Sequence, residues 1–84
     1  MKLAGELDLV TAPLLRDELA RQSHNGRRLV LDVSRLEFLD SPGLVLLLQS
    51  APQGGSVVLR REVSPAVARL LEVTKTEQLF AWTD

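Results

Sequence analysis

With 84 residues, 45% of them hydrophobic and 25% charged, this chain can close one hydrophobic core and has no length for a second. A net charge of −1 without a basic stripe speaks against a nucleic-acid partner, and the absence of cysteine removes disulfides, a thiolate nucleophile and cysteine zinc sites. The apolar run Leu44-Val45-Leu46-Leu47-Leu48 is too short to cross a bilayer, and Met1-Lys2-Leu3-Ala4-Gly5-Glu6 lacks a signal-peptide core, so the protein is expected to be cytoplasmic and not inserted in a membrane.

Short apolar runs alternate with helical patterns, predicting a single α/β domain over residues 1–84. Its sheet should be mostly parallel or mixed, with about four strands and three helices. The first helix should start near Thr11, whose hydroxyl can cap it, with Pro13 tolerated in the first turn. Ala12, Leu15 and Leu19 share its inner face, Arg16, Asp17 and Arg21 its outer face, and His24-Asn25-Gly26 ends it. Arg28-Leu29-Val30-Leu31-Asp32-Val33 reads as a central strand covered on both faces.

A second helix is predicted from Ser41 or Pro42 to about Ser50, broken by Pro52 and Gly54-Gly55. Strand character resumes at Ser56-Val57-Val58-Leu59-Arg60. Ser64 caps a third helix with Pro65 at its first position, lined by Val67, Leu70, Leu71 and Thr74. Leu79-Phe80-Ala81-Trp82 reads as a last short strand.

Catalytic constellations are missing. The one histidine, His24, sits in a polar Asn-Gly turn with no nucleophile patterned beside it, and the scattered carboxylates have no metal-ligand spacing. Gly54-Gly55 precedes a strand and opens no helix, so it is a turn and not a phosphate cradle. Arg27-Arg28 and Arg60-Arg61 fall at strand ends, where solvated charges are common. The chain therefore reads as a binding module and not an enzyme, with no cofactor and no metal.

One segment carries a signal. Asp40-Ser41-Pro42-Gly43-Leu44 lies where a strand ends and the second helix begins, the end of a parallel sheet at which binding sites gather. Both Ser41-Pro42 and Ser64-Pro65 fit a serine cap followed by proline, and a phosphate on Ser41 would meet a helix N-terminus. On the helical wheel Leu44, Leu47, Leu48 and Ala51 complete a core stripe. Val45 and Leu46 are left over, and Leu46 should be largely exposed. Those two, with Gln49, form the expected partner face, bordered by Asp40, Ser41, Pro42 and Gly43.

These elements give the chain a resemblance to the bacterial anti-sigma factor antagonists of the STAS domain family. It rests on Gly5-Glu6-Leu7-Asp8 with Thr11-Ala12, Leu29-Val30-Leu31-Asp32 through Phe38, Asp40-Ser41 and Gly43-Leu44, Gly54-Gly55, and Ser64-Pro65-Ala66-Val67 through Leu70-Leu71, in the family's order. The resemblance implies a STAS-like fold and a partner switch. In it an anti-sigma factor that is itself a serine kinase binds the unphosphorylated antagonist, phosphorylates the serine matching Ser41 and then lets go, which regulates transcription. By position Asp8 matches an acidic residue near that serine.

The chain departs from the family's pattern in three places. Pro42, where Ser or Thr is usual, has no N–H to offer a phosphate. The span from Gly43 to Gly54 is shorter by roughly one helical turn. An N-terminal strand before Gly5-Glu6-Leu7-Asp8 is not seen, so a sheet edge near Lys2 to Ala4 is open for a possible homodimer. The other implied role is that of a STAS subunit docked on an ABC transporter ATPase.

Overall fold

The computed structural model describes residues 1–22 and 28–84. The expected turn at His24-Asn25-Gly26 and the Arg27 half of the Arg27-Arg28 pair lie outside the described residues.

The elements run β1 (Lys2–Leu7), α1 (Ala12–Gln22), β2 (Leu29–Leu39), α2 (Ser41–Ser50), β3 (Val57–Arg60), α3 (Pro65–Thr74), a 3-10 turn at Glu77–Leu79 and β4 (Trp82–Thr83). The strands form one sheet in the order β1-β2-β3-β4, and every ladder is parallel. Such strands need crossovers, which the three helices supply. One isolated antiparallel bridge joins Pro52 to Phe80.

β2 runs six residues past Val33, where the apolar run stops. Its first part, Leu29 to Leu31, pairs with β3, and the part from Asp32 to Leu39 pairs with β1. Non-local pairing thus holds extended a mixed stretch, Ser34 to Leu39, that the apolar run alone leaves as a connection. The β1–β2 register shifts twice, once beside Gly5, whose φ of 81° suits a residue without Cβ. The last strand starts later than its apolar residues suggest. Leu79 ends the 3-10 turn, Phe80 is buried in the core, and Trp82 begins β4.

Leu31, Val33 and Leu59 in the central strands are fully buried. Ala12, Leu15 and Leu19 of α1 and Val67 and Leu71 of α3 close over the same core. Ser64 caps α3, its Oγ accepting the Val67 amide at 3.2 Å. Thr11 does not cap α1. Its Oγ1 accepts the Asp8 amide at 2.9 Å and lies 3.0 Å from the Glu6 carbonyl, tying the turn back to β1.

Helix α2 shares one hydrophobic core with the strands and is flanked by α1. Its buried residues are Gly43, Leu44, Leu46 and Leu47, with Leu48 half-buried. At about 100° per residue this arc spans more than half the circumference, wider than a stripe facing one neighbour. Leu46, expected outside, is therefore only 4% exposed and belongs to the core that also holds Leu15 and Leu19. The expected burial of Leu44 and Leu47 holds.

Candidate functional site

Parallel register builds the site. Leu7 pairs with Leu39, so the residues that follow them, Asp8 and Asp40, leave adjacent strands at the same carboxyl end of the sheet. Two loops start there. One is the turn from β1 into α1, and the other is the step from β2 into α2.

The first is an Asx turn. Asp8 Oδ1 accepts the Val10 amide at 3.0 Å and the Thr11 amide at 2.9 Å, and the Thr11 hydroxyl lies 3.1 Å away. These donors, the Thr11 amide foremost, hold the Asp8 carboxyl below its ordinary value of 3.8, so it stays charged near neutrality. The turn leaves Leu9 and Val10 at 70% and 79% exposure, with no strand to bury them.

In the second loop the cap is Asp40 and not Ser41. Asp40 sits in extended backbone, and its Oδ1 accepts the Gly43 amide at 2.8 Å. Ser41 is thus the first residue of α2 and Pro42 the second, both exposed. Among the described residues the Ser41 hydroxyl makes no hydrogen bond. The amide donors beyond it are engaged, because Pro42 has none, Gly43 donates to Asp40 Oδ1 and Leu44 donates to the Asp40 carbonyl. A phosphate on Ser41 would accordingly meet the helix dipole but no free N–H from those three residues.

The two loops are stitched together. Leu9 donates its amide to Asp40 Oδ2 at 3.2 Å, and Asp40 donates its own to the Leu7 carbonyl at 3.3 Å. Gly43 permits this approach, since a Cβ there would lie 2.5 Å from the Leu7 carbonyl oxygen.

Of the residues singled out in the sequence, Asp8, Asp40 and Ser41 come together here. Pro42 is exposed, and Val45, 48% exposed, follows Ser41 at a spacing of four with Gln49 four further on. Ser41, Val45 and Gln49 form the outer row of α2. Gly43 lies beneath it as a packing residue, and Leu46, proposed as a surface contact, is inside. Sequence reasoning passed over Leu9 and Val10, which the Asp8-x-x-Thr11 spacing could have exposed as an apolar turn tip. Among the described residues no group of three or more His, Cys, Asp or Glu could hold a metal ion, and no helix is long and apolar enough to cross a membrane.

The family described as "Mlab, STAS domain" matches residues 1–81. The anti-sigma-F factor antagonist RsfB of Mycobacterium tuberculosis is 33% identical over 87 residues, 96% of this chain and 71% of the relative. The anti-sigma-B factor antagonist of Bacillus subtilis is 31% identical over 84 residues, 95% of this chain and 76% of the relative. That of Staphylococcus aureus is 30% identical, over 95% and 78%. With the parallel sheet, its three helices and Asp40-Ser41 at the start of α2, these matches show that the chain belongs to the STAS domain family, in the branch of the bacterial anti-sigma factor antagonists.

Proposed function

We propose that this protein is an anti-sigma factor antagonist that regulates transcription by partner switching in the cytoplasm. Unphosphorylated, it binds an anti-sigma factor of the serine kinase type. Phosphorylated on Ser41, it releases that partner. The contact surface comprises Asp8, Asp40, Ser41, Pro42, Val45 and Gln49, and the chain itself performs no turnover and needs no cofactor.

The observation that carries this reading is the freedom of Ser41. It is exposed at the first position of α2, and Asp40 takes the capping role, so the Ser41 hydroxyl itself holds no hydrogen bond that its modification would break. In the transfer, Ser41 Oγ bonds to the γ-phosphorus of a nucleoside triphosphate held by the partner. The bond from that phosphorus to the bridging oxygen breaks, the diphosphate leaves, and the hydroxyl proton passes to a base of the partner. The product adds about −1.5 to −2 charges beside Asp40 and Asp8 and next to Val45, which a bound partner must desolvate.

Calorimetric titration of wild type, Ser41→Asp and Ser41→Ala against the anti-sigma factor, with labelled ATP, tests the proposal. Wild type and Ser41→Ala should bind, Ser41→Asp should bind at least about tenfold more weakly, and only wild type should take label. If Ser41→Asp binds as tightly as wild type and Ser41 takes no label, the switch is wrong. Capture of a transporter ATPase in place of a kinase would favour the subunit role instead.

A further inference from the structure

Asp40 holds amides from two segments that meet nowhere in sequence. Its Oδ1 takes Gly43 at the start of α2, and its Oδ2 takes Leu9 at the tip of the β1–α1 turn. Ser41, the residue proposed to be modified, is its covalent neighbour. Among the described residues no lysine or arginine is ion-paired with Asp40.

We infer that Asp40 is the positioning residue through which phosphorylation of Ser41 is read at Leu9, in the apolar tip of the β1–α1 turn. The phosphate displaces the Asp40 carboxylate from the Gly43 and Leu9 amides and frees the apolar tip of the turn. The inference rests on the reading of Ser41 as the modified residue and adds how its state reaches a second segment.

Two facts make Asp40 the group that yields. Beyond Ser41's own amide, the one that a phosphate could take from the first turn is Gly43's, held by the Asp40 side chain, because Pro42 has none and Leu44 is bonded to the Asp40 carbonyl within the helix. A phosphate that takes this amide evicts Oδ1. One that does not take it stands beside a carboxylate of like charge, which drives Asp40 outward.

The effect should stop at the tip. Val10 and Thr11 are held by Asp8 Oδ1 independently of Asp40, whereas Leu9 depends on Oδ2. Leu9 and Val10 are 70% and 79% exposed, and Leu14 in the first turn of α1 is 70% exposed as well. A partner that contacts Ser41 also reaches them, so phosphorylation changes the surface it meets in two places, the charge at α2 and the set of the apolar tip.

The test uses the isolated chain with phosphoserine incorporated at position 41 during synthesis, followed by amide NMR and hydrogen exchange. The Leu9 amide should shift and exchange up to about tenfold faster, the scale of one net hydrogen bond, while Val10 and Thr11 keep their rates. Asp40→Asn without phosphate should reproduce part of the Leu9 change, and phosphoserine added to that variant should change Leu9 little further. A Leu9 amide unmoved in shift and rate in the phosphorylated wild type overturns the coupling, whether or not Asp40→Asn folds. No partner takes part, so the two readings fail separately. A Leu9 amide that moves in a chain no kinase modifies sinks only the functional reading, and one that stays still in a chain a partner does modify sinks only the coupling.

Discussion

Gly43 of α2 sits against the carbonyl of Leu7 so closely that a Cβ on it would stand 2.5 Å from that oxygen, with Leu39 Cδ1 at 2.8 Å. The contact seats the N-terminus of α2 on the carboxyl end of β1 and so brings Ser41 beside the Asp8 turn. Because the obstacle is backbone carbonyl, rotamer changes alone cannot relieve it. Gly43→Ala should therefore cost about 1–3 kcal/mol by overpacking, read as a lowered denaturation midpoint with an unchanged slope.

Leu46 and Val45 are adjacent in sequence and opposite in role. Leu46→Ala should destabilise by about 2–5 kcal/mol, as truncation of a buried leucine does. Val45→Ala should stay within about 0.5 kcal/mol of wild type and weaken partner binding instead. Urea melts of both, with a binding titration of Val45→Ala, check this. Equal destabilisation by the two variants would contradict the burial pattern.

The change of cap from Ser41 to Asp40 reverses an expectation about stability. Ser41→Ala should alter it by less than about 0.5 kcal/mol, since the hydroxyl is exposed and unbonded. Asp40→Ala removes the acceptor of two amides and should cost about 0.5–2 kcal/mol. Thermal melts of the pair decide between the two caps.

Two carboxylates contribute to the acid limb of stability. Asp8 is held below 3.8 chiefly by the Thr11 amide, and Asp32 chiefly by the Ser34 hydroxyl, whose oxygen lies 2.6 Å from Oδ1. A folded pKa below the unfolded one contributes stability that is complete above the unfolded value and is lost as pH falls through the folded one. Their contribution should thus be flat near neutrality and decline below about pH 4. Urea melts at pH 7 and pH 3 should show a smaller difference for Asp8→Asn and Asp32→Asn than for wild type.

β1 forms one edge of the described sheet, pairing only with β2 there. Its outer backbone groups offer a second copy a ladder, and dimers are the expected outcome at high concentration. Ala4→Lys, at an exposed position of that strand, should suppress them. Sedimentation of a clean monomer up to millimolar wild type would exclude the pairing.

Local chemistry made much of this legible in advance. The spacing of Ala12, Leu15 and Leu19, the Ser64-Pro65 start of α3 and the burial of Leu44 and Leu47 follow from helical periodicity and capping, which need only neighbours in the chain. So does the start of α2 at Ser41, one of the two expected positions. What depends on distant segments was decided by the tertiary structure. Leu46 is inside because α1 flanks α2, and β2 reaches Leu39 because β1 pairs with it. Asp40 instead of Ser41 caps α2 where the chain leaves β2, and its second oxygen is taken by Leu9 across the sheet end. Periodicity registers which way a residue points from its own element. Only packing determines what stands on that side, and at this site it is the parallel register of Leu7 with Leu39 that sets Asp8 and Asp40 beside one another.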